Sequence, residues 1–345
     1  MPTFFTGIGE LLNGSVLQSS ALWTLTNVPG FPPIIQTVHI LGIAVVMGTI
    51  AFQSLRILGL AIPSQNFPEI TERVMPVFWA ALFIMIFSGA FFVFGRPTRY
   101  FNNPVFLWKM LCLAPLLIMM LFYQGMGRLQ NNYWQLNAKR ELVARVIAVT
   151  SILLILAICT AGRWIAYLEY IEYPLWYLEP YHDGQELPFW DWVQNWSLSQ
   201  IIASTNWFPA IETIHVIAAS LMVGAILWVD LRLMGIGATK YSISDLNREL
   251  IPWAWGAFTI AVITGVGMFI TRASGHVLNP AFQSKMFLLV FAGINMAYFH
   301  YKLFRTIDQY DHSKSPPRNV KLAGVLSLVL WSGVMLAGRW IGHII

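Results

Sequence analysis

The chain has 345 residues and a mass of 39.1 kDa, with 57% hydrophobic, 14% aromatic and only 11% charged residues and a mean hydropathy of +0.61. A soluble globular chain carries about 25% charged residues, so this composition excludes a water-soluble domain and defines a polytopic membrane protein. The net charge of +5 resolves into loops and helix ends, where it expresses topology and not affinity for nucleic acid.

No Lys or Arg precedes Arg56, so the amino terminus lacks the basic region of a secretory signal. Residues 1–33 are expected to lie at the membrane interface, and the first apolar span to be retained. A span needs about 20 apolar residues, which predicts eight helices near 34–58, 76–95, 104–125, 144–165, 210–234, 252–271, 280–301 and 321–342. Several are expected to begin at a proline, namely Pro33, Pro76, Pro104, Pro209, Pro252 and Pro280, where a missing N–H costs nothing.

Between the fourth and fifth spans, 166–209 carries Glu169, Glu172, Glu179, Asp183, Glu186 and Asp191 and no Lys or Arg. Its Trp190, Trp192, Trp196 and Trp207 suit an interfacial helix. The connections near 56–73, 126–145, 232–248 and 302–321 hold the clustered Lys and Arg, which assigns them to the cytoplasm and both termini to the outside. Cys112 and Cys159 lie in apolar runs with no CxxC or CxxCH pattern, so neither a disulfide framework nor a thiolate metal site is expected.

The chain is one unit written twice, with every match 176 positions further on and no gap. Thr37-Val38-His39 matches Thr213-Ile214-His215, and Arg56 matches Arg232. Gly89 and Arg96 match Gly265 and Arg272, and Asn103-Pro104 with Lys109 matches Asn279-Pro280 with Lys285. Ala161-Gly162-Arg163-Trp164 matches Ala337-Gly338-Arg339-Trp340. Matches on His, Arg, Lys, Asn and Pro exceed what shared hydrophobicity produces. The expected fold is all-α: four-helix units at 34–165 and 210–345, each of even helix number, related by a pseudo-twofold along the membrane normal.

Ionisable residues within spans are expensive and mark functional sites. His39 lies about 9 Å, and Lys109 about 7.5 Å, inside the outer ends of their helices. Arg96 and Arg163 close the same layer, and His215, Lys285, Arg272 and Arg339 repeat it, with His276 and His343 nearby. Cations around an imidazole point to an anionic ligand, because the spans hold few acids, chiefly Glu212 and Asp230. Arg56 and Arg232 are expected to anchor the inner helix ends, and His182 and His312 to be solvated loop residues. His300 pairs with Gln124 in the repeat and is a secondary candidate.

Each unit resembles a bacterial inner-membrane four-helix domain of unknown function, on Thr-x-His, Leu-Arg, Asn-Pro-x-Phe-x-x-Lys, Asn-x4-His (Asn295 and His300, but Met119 and Gln124 in the first unit) and Ala-Gly-Arg. The first-helix His with a third-helix Lys is similar to the J-type protoporphyrinogen oxidases. That likeness implies haem b held at His39 with Lys109 and at His215 with Lys285. The His-x-x-Ala-x-x-x-x-Gly pattern with Thr264, Gly265 and Lys285 also resembles the copper-resistance D-type permeases.

Two classes of function follow. In the first, His39 and His215 are axial ligands of haem iron, one haem each or one shared, with Lys and Arg pairing the propionates, in electron transfer or a membrane oxidoreductase system. A quinone or redox partner is then expected at the outer face, in a bacterial inner membrane, with the protein acting as a homo-oligomer or a subunit of a larger complex. In the second, the chain is a permease for a small anion or for copper, or a scaffold without chemistry. Cations beside the site disfavour copper.

Overall fold

The computed structural model describes residues 3–167 and 187–344; His182 and the acids from Glu169 to Glu186 lie outside the described residues. The described chain is all-α. Helices α1 (Thr3–Leu12) and α2 (Val16–Asn27) lead into four long helices: α3 (Phe31–Ile57), α4 (Phe67–Gly95), α6 (Pro104–Leu129) and α7 (Ala138–Trp164), with the short α5 (Pro97–Phe101) between α4 and α6. Helices α8 (Pro188–Gln194) and α9 (Ser197–Ser204) then lead into α10 (Trp207–Met234), α11 (Ile243–Ile270), the short α12 (Ala273–Leu278), α13 (Pro280–Tyr298) and α14 (Arg318–Trp340). Eight of these are long and apolar enough to cross a membrane. Their outward faces carry unburied Phe83, Phe87, Ile118, Val290 and Phe291, a surface that only lipid or a partner helix covers without cost.

The second and sixth spans do not begin at Pro76 and Pro252. They begin at Phe67 and Ile243, and both prolines lie inside helices. Capping fixes the earlier starts: Glu69 Oε2 accepts from the Asn66 N–H at 3.4 Å, and Ser242 Oγ accepts from the Asp245 N–H at 2.9 Å. The added turns are polar, which is why a hydropathy window misses them. Pro104 and Pro280 do open their helices, each behind an asparagine cap.

Helices α3, α7, α10 and α14 form the centre, the first and fourth helix of each unit packing against those of the other, while α4, α6, α11 and α13 lie outside. The closest approach joins equivalent residues. A Cβ on Gly48 would sit 2.8 Å from Gly224 Cα, and one on Gly224 would sit 2.8 Å from both Ala44 O and Gly48 Cα. Small residues permit this contact, which sets the two backbones against each other.

At the end where Lys and Arg gather, Arg56 Nε donates to the Gln65 carbonyl, and Arg232 donates to the Tyr241 carbonyl at 2.7 Å and the Asp311 carbonyl at 2.8 Å. These arginines clasp the loops of their own units. Ties between units complete this end: Tyr241 Oη donates to Glu69 at 2.7 Å, and Ser64 Oγ donates to Glu249 at 2.9 Å.

Candidate functional site

At the opposite end the two histidines are held in matching ways. His39 Nδ1 lies 3.0 Å from Ser88 Oγ, whose single hydroxyl hydrogen is directed at the Ile84 carbonyl, 2.8 Å away. With its hydrogen on that carbonyl Ser88 accepts, and the His39 ring also donates to the Met85 backbone, which together assign the proton to Nδ1. His215 Nδ1 lies 2.9 Å from the Ala261 carbonyl, which only accepts, and 3.1 Å from Thr264 Oγ1, itself bonded to the Ile260 carbonyl. Both rings thus present Nε2 as a lone pair, with no protein partner among the described residues. A hydrogen bond at one nitrogen orients the imidazole for ligation at the other.

Each ring rests on a glycine of its own unit's second helix. A Cβ at Gly89 would meet His39 Cε1 at 3.2 Å, and one at Gly265 would meet His215 Cε1 at 3.2 Å. Ser88 and Thr264 escape a search for ionisable residues. Their signal is the repeat itself, which places a hydroxyl one position before each glycine.

The lysines come from the third helices. Lys109 lies within electrostatic range of His39, and Lys285 of His215. Their Nζ atoms lie 3.7 Å from a Cβ placed on Gly162 and on Gly338, so the Gly of each Ala-Gly-Arg motif makes room for a lysine. Neither ammonium has a hydrogen bond or ion pair among the described residues. The Asn-Pro motif before each lysine has its own structural function. Asn103 Oδ1 caps α6 by accepting from Val105 N–H at 2.9 Å, and its Nδ2 reaches the Ile165 carbonyl at 3.4 Å. Asn279 caps α13 at 2.9 Å and ties it to the Ile341 and Ile344 carbonyls at 3.2 and 3.0 Å.

Two of the four arginines, Arg163 and Arg339, do not join this layer as free cations. Arg163 forms an ion pair with Glu212 of the other unit, and donates to Tyr167 Oη at 3.2 Å, while Tyr167 donates to Glu212. The equivalent set is Arg339, Gln36 and His343: Arg339 Nε donates to Gln36 Oε1, and His343 Nε2 lies 3.2 Å from the same oxygen. Positions 36 and 212, and 167 and 343, are repeat mates. Glu212 therefore answers the charge of Arg163 with a carboxylate, and Gln36 gives Arg339 a neutral acceptor. Arg272 is exposed and Arg96 half-buried, and neither side chain makes a hydrogen bond or ion pair among the described residues.

The remaining histidines divide. His276 packs as an aromatic ring, 5.9 and 5.6 Å from the Phe269 and Phe282 centroids, in the place that Tyr100 takes beside Phe106. Burial is the main cause that lowers its pKa below the usual histidine value. His300 lies at the other end, beside a cavity of the second unit, and His312 is exposed. Among the described residues no group of three or more His, Cys, Asp or Glu converges.

These features define a membrane protein built from two copies of a four-helix unit, each with a histidine and a lysine at one end. The model of a family of unknown function, DUF6644, matches the chain twice, over residues 28–168 and 189–344, and the chain belongs to that family. It matches no curated protein and no solved structure.

Proposed function

We propose that each unit binds one haem b at its histidine and lysine end, and that the protein carries electrons within a membrane oxidoreductase system. The observation that carries this reading is the repeated imidazole geometry: Nδ1 donates to the second helix and Nε2 is available in both units. A single axial imidazole fits haem. Lys109 and Lys285, without protein anions of their own, fit a propionate each, and Arg163 and Arg339 support the site by joining the two units. Each ring lies against its own unit's α4 or α11, which favours one haem per unit over one shared. A haem bound there supplies a one-electron couple inside the bilayer.

In this reading the units are related by a pseudo-twofold along the membrane normal, with Gly48 and Gly224 meeting on it. The clustered Lys and Arg place both termini outside a bacterial inner membrane, and a quinone or redox partner meets the outer face. The test is the haem content of single variants. His39→Ala and His215→Ala each remove about half of the haem, while His300→Ala leaves it unchanged; full haem in both outer variants overturns the assignment. The unpaired lysines also favour a second reading, passage of a small anion. In that case Lys109→Ala abolishes flux in proteoliposomes with no pigment present.

A further inference from the structure

Some 22 Å along α10 from His215, at 1.5 Å per residue, the second unit contains a cavity of about 190 Å³. Its walls are mainly hydrocarbon and aromatic, including Trp255, Phe258 and Trp331. Helices α11 and α13 barely touch, so the cavity faces the lipid side between them. Lining residues Gly293 and Met296 lie on the exposed face of α13.

Ser327 donates to one side of the Asp230 carboxyl and Asn295 Nδ2 donates to the Ala323 carbonyl at 3.0 Å, but other acceptor atoms of this cavity have no donor. Asp230 is 4% exposed, and its Oδ2 has no hydrogen-bond partner. Asn247 Oδ1 is buried and unpaired as well. His300 lies 2.9 Å from the Met296 carbonyl through Nδ1, which makes Nδ1 the donor and leaves Nε2 as an acceptor. His300 belongs to a π-helical turn, Phe299–Leu303, a distortion frequent at functional sites. Unpaired oxygens on a buried carboxyl and a buried amide are costly, and an occupant carrying an O–H group removes that cost at the carboxyl.

The first unit lacks this arrangement. Ser54, Met119 and Gln124 stand where the second unit has Asp230, Asn295 and His300, and Trp79 Nε1 already donates to Gln124 at 2.9 Å. The cavity chemistry is therefore particular to one unit, unlike the histidine and lysine ends.

We propose that this cavity is a binding site for the hydroxylated aromatic headgroup of a membrane amphiphile, of the hydroquinone class, which enters between α11 and α13 and donates to Asp230 and His300. Size agrees: a cavity of roughly 150 Å³ holds a benzene ring, and 190 Å³ holds one substituted ring with its tail left in the lipid. Mostly apolar walls favour a neutral ring over an ammonium group.

The test is equilibrium dialysis of the full-length protein in detergent, under argon, with three probes: tetramethylhydroquinone, its dimethyl ether, and 4-methylbenzylamine. The hydroquinone binds saturably, and the ether at least tenfold more weakly because it leaves the acceptors unpaired. Asp230→Ser, which installs the first unit's residue, weakens the hydroquinone at least tenfold. Gly293→Phe does the same by filling the mouth; a Cβ at Gly293 meets nothing within 4 Å, so the backbone accepts a side chain there without a clash. Equal binding of hydroquinone and ether, binding indifferent to both substitutions, or preference for the amine each overturns the proposal. The pigment content of the same samples reports the histidine end separately.

Discussion

The pairing of Arg163 with Glu212 across the two units gives the sharpest quantitative expectation. The two side chains are 26% and 20% exposed, between the extremes for which costs are known. Removing one partner of a fully buried pair costs about 3–5 kcal/mol, whereas exposed pairs contribute about 0.2–1 kcal/mol. Glu212→Gln keeps an acceptor for Arg163 and Tyr167 and copies the Gln36 that Arg339 already tolerates, so its cost is set at about 2 kcal/mol, near that of a hydrogen bond to a charged group. Equilibrium unfolding in mixed micelles titrated with SDS measures it. Arg163→Gln then costs less in the Glu212→Gln background than alone, with a coupling of at least ~1 kcal/mol in the double-mutant cycle. A coupling below about 0.5 kcal/mol would place the pair among screened surface contacts and refute the cross-unit clamp.

Further outcomes follow from packing and capping. Gly48→Ala places a Cβ 2.8 Å from Gly224 Cα, and costs about 1–3 kcal/mol as an overpacked contact in the same unfolding assay; Gly125→Ala, with open space around it, does not. Asn279→Ala removes the α13 cap and two ties to the end of the chain, costing about 1–2 kcal/mol, and more than Asn103→Ala with its single tie. His276 resists protonation when folded, so the unfolded state takes up its proton first as pH falls through about 6.5. Stability therefore declines from pH 7 to 5, and His276→Tyr, the residue type of the first unit, removes part of that slope; an unchanged slope contradicts the burial argument.

Much of the architecture is legible in the sequence because bilayer thickness and charge act on composition. The eight spans and the duplication follow from hydropathy and the offset of 176. The starts of the second and sixth helices are not legible by hydropathy, since Asn66 and Ser242 cap turns that are polar, whereas Pro104 and Pro280 do mark the starts of theirs. In the candidate site, His39, His215, Lys109 and Lys285 stand out as ionisable residues in apolar runs. Of their supports, Thr264 is legible only within the resemblance to the copper-resistance D-type permeases, and Ser88 looks like an ordinary helix hydroxyl until the ring partner is known. The partners of Arg163 and Arg339 come from the other unit, a long-range contact that spacing along one helix cannot express. The repeat mates at 36 and 212, and at 167 and 343, change residue type while keeping a hydrogen-bonding group.

The central claim concerns the two imidazoles, and the absorption spectrum of the gently purified protein, air-oxidised against dithionite-reduced, with a pyridine haemochrome assay, tests it most directly. The account predicts a b-type reduced band and two haems per chain, one for each histidine and lysine pair. A folded protein without the band contradicts it.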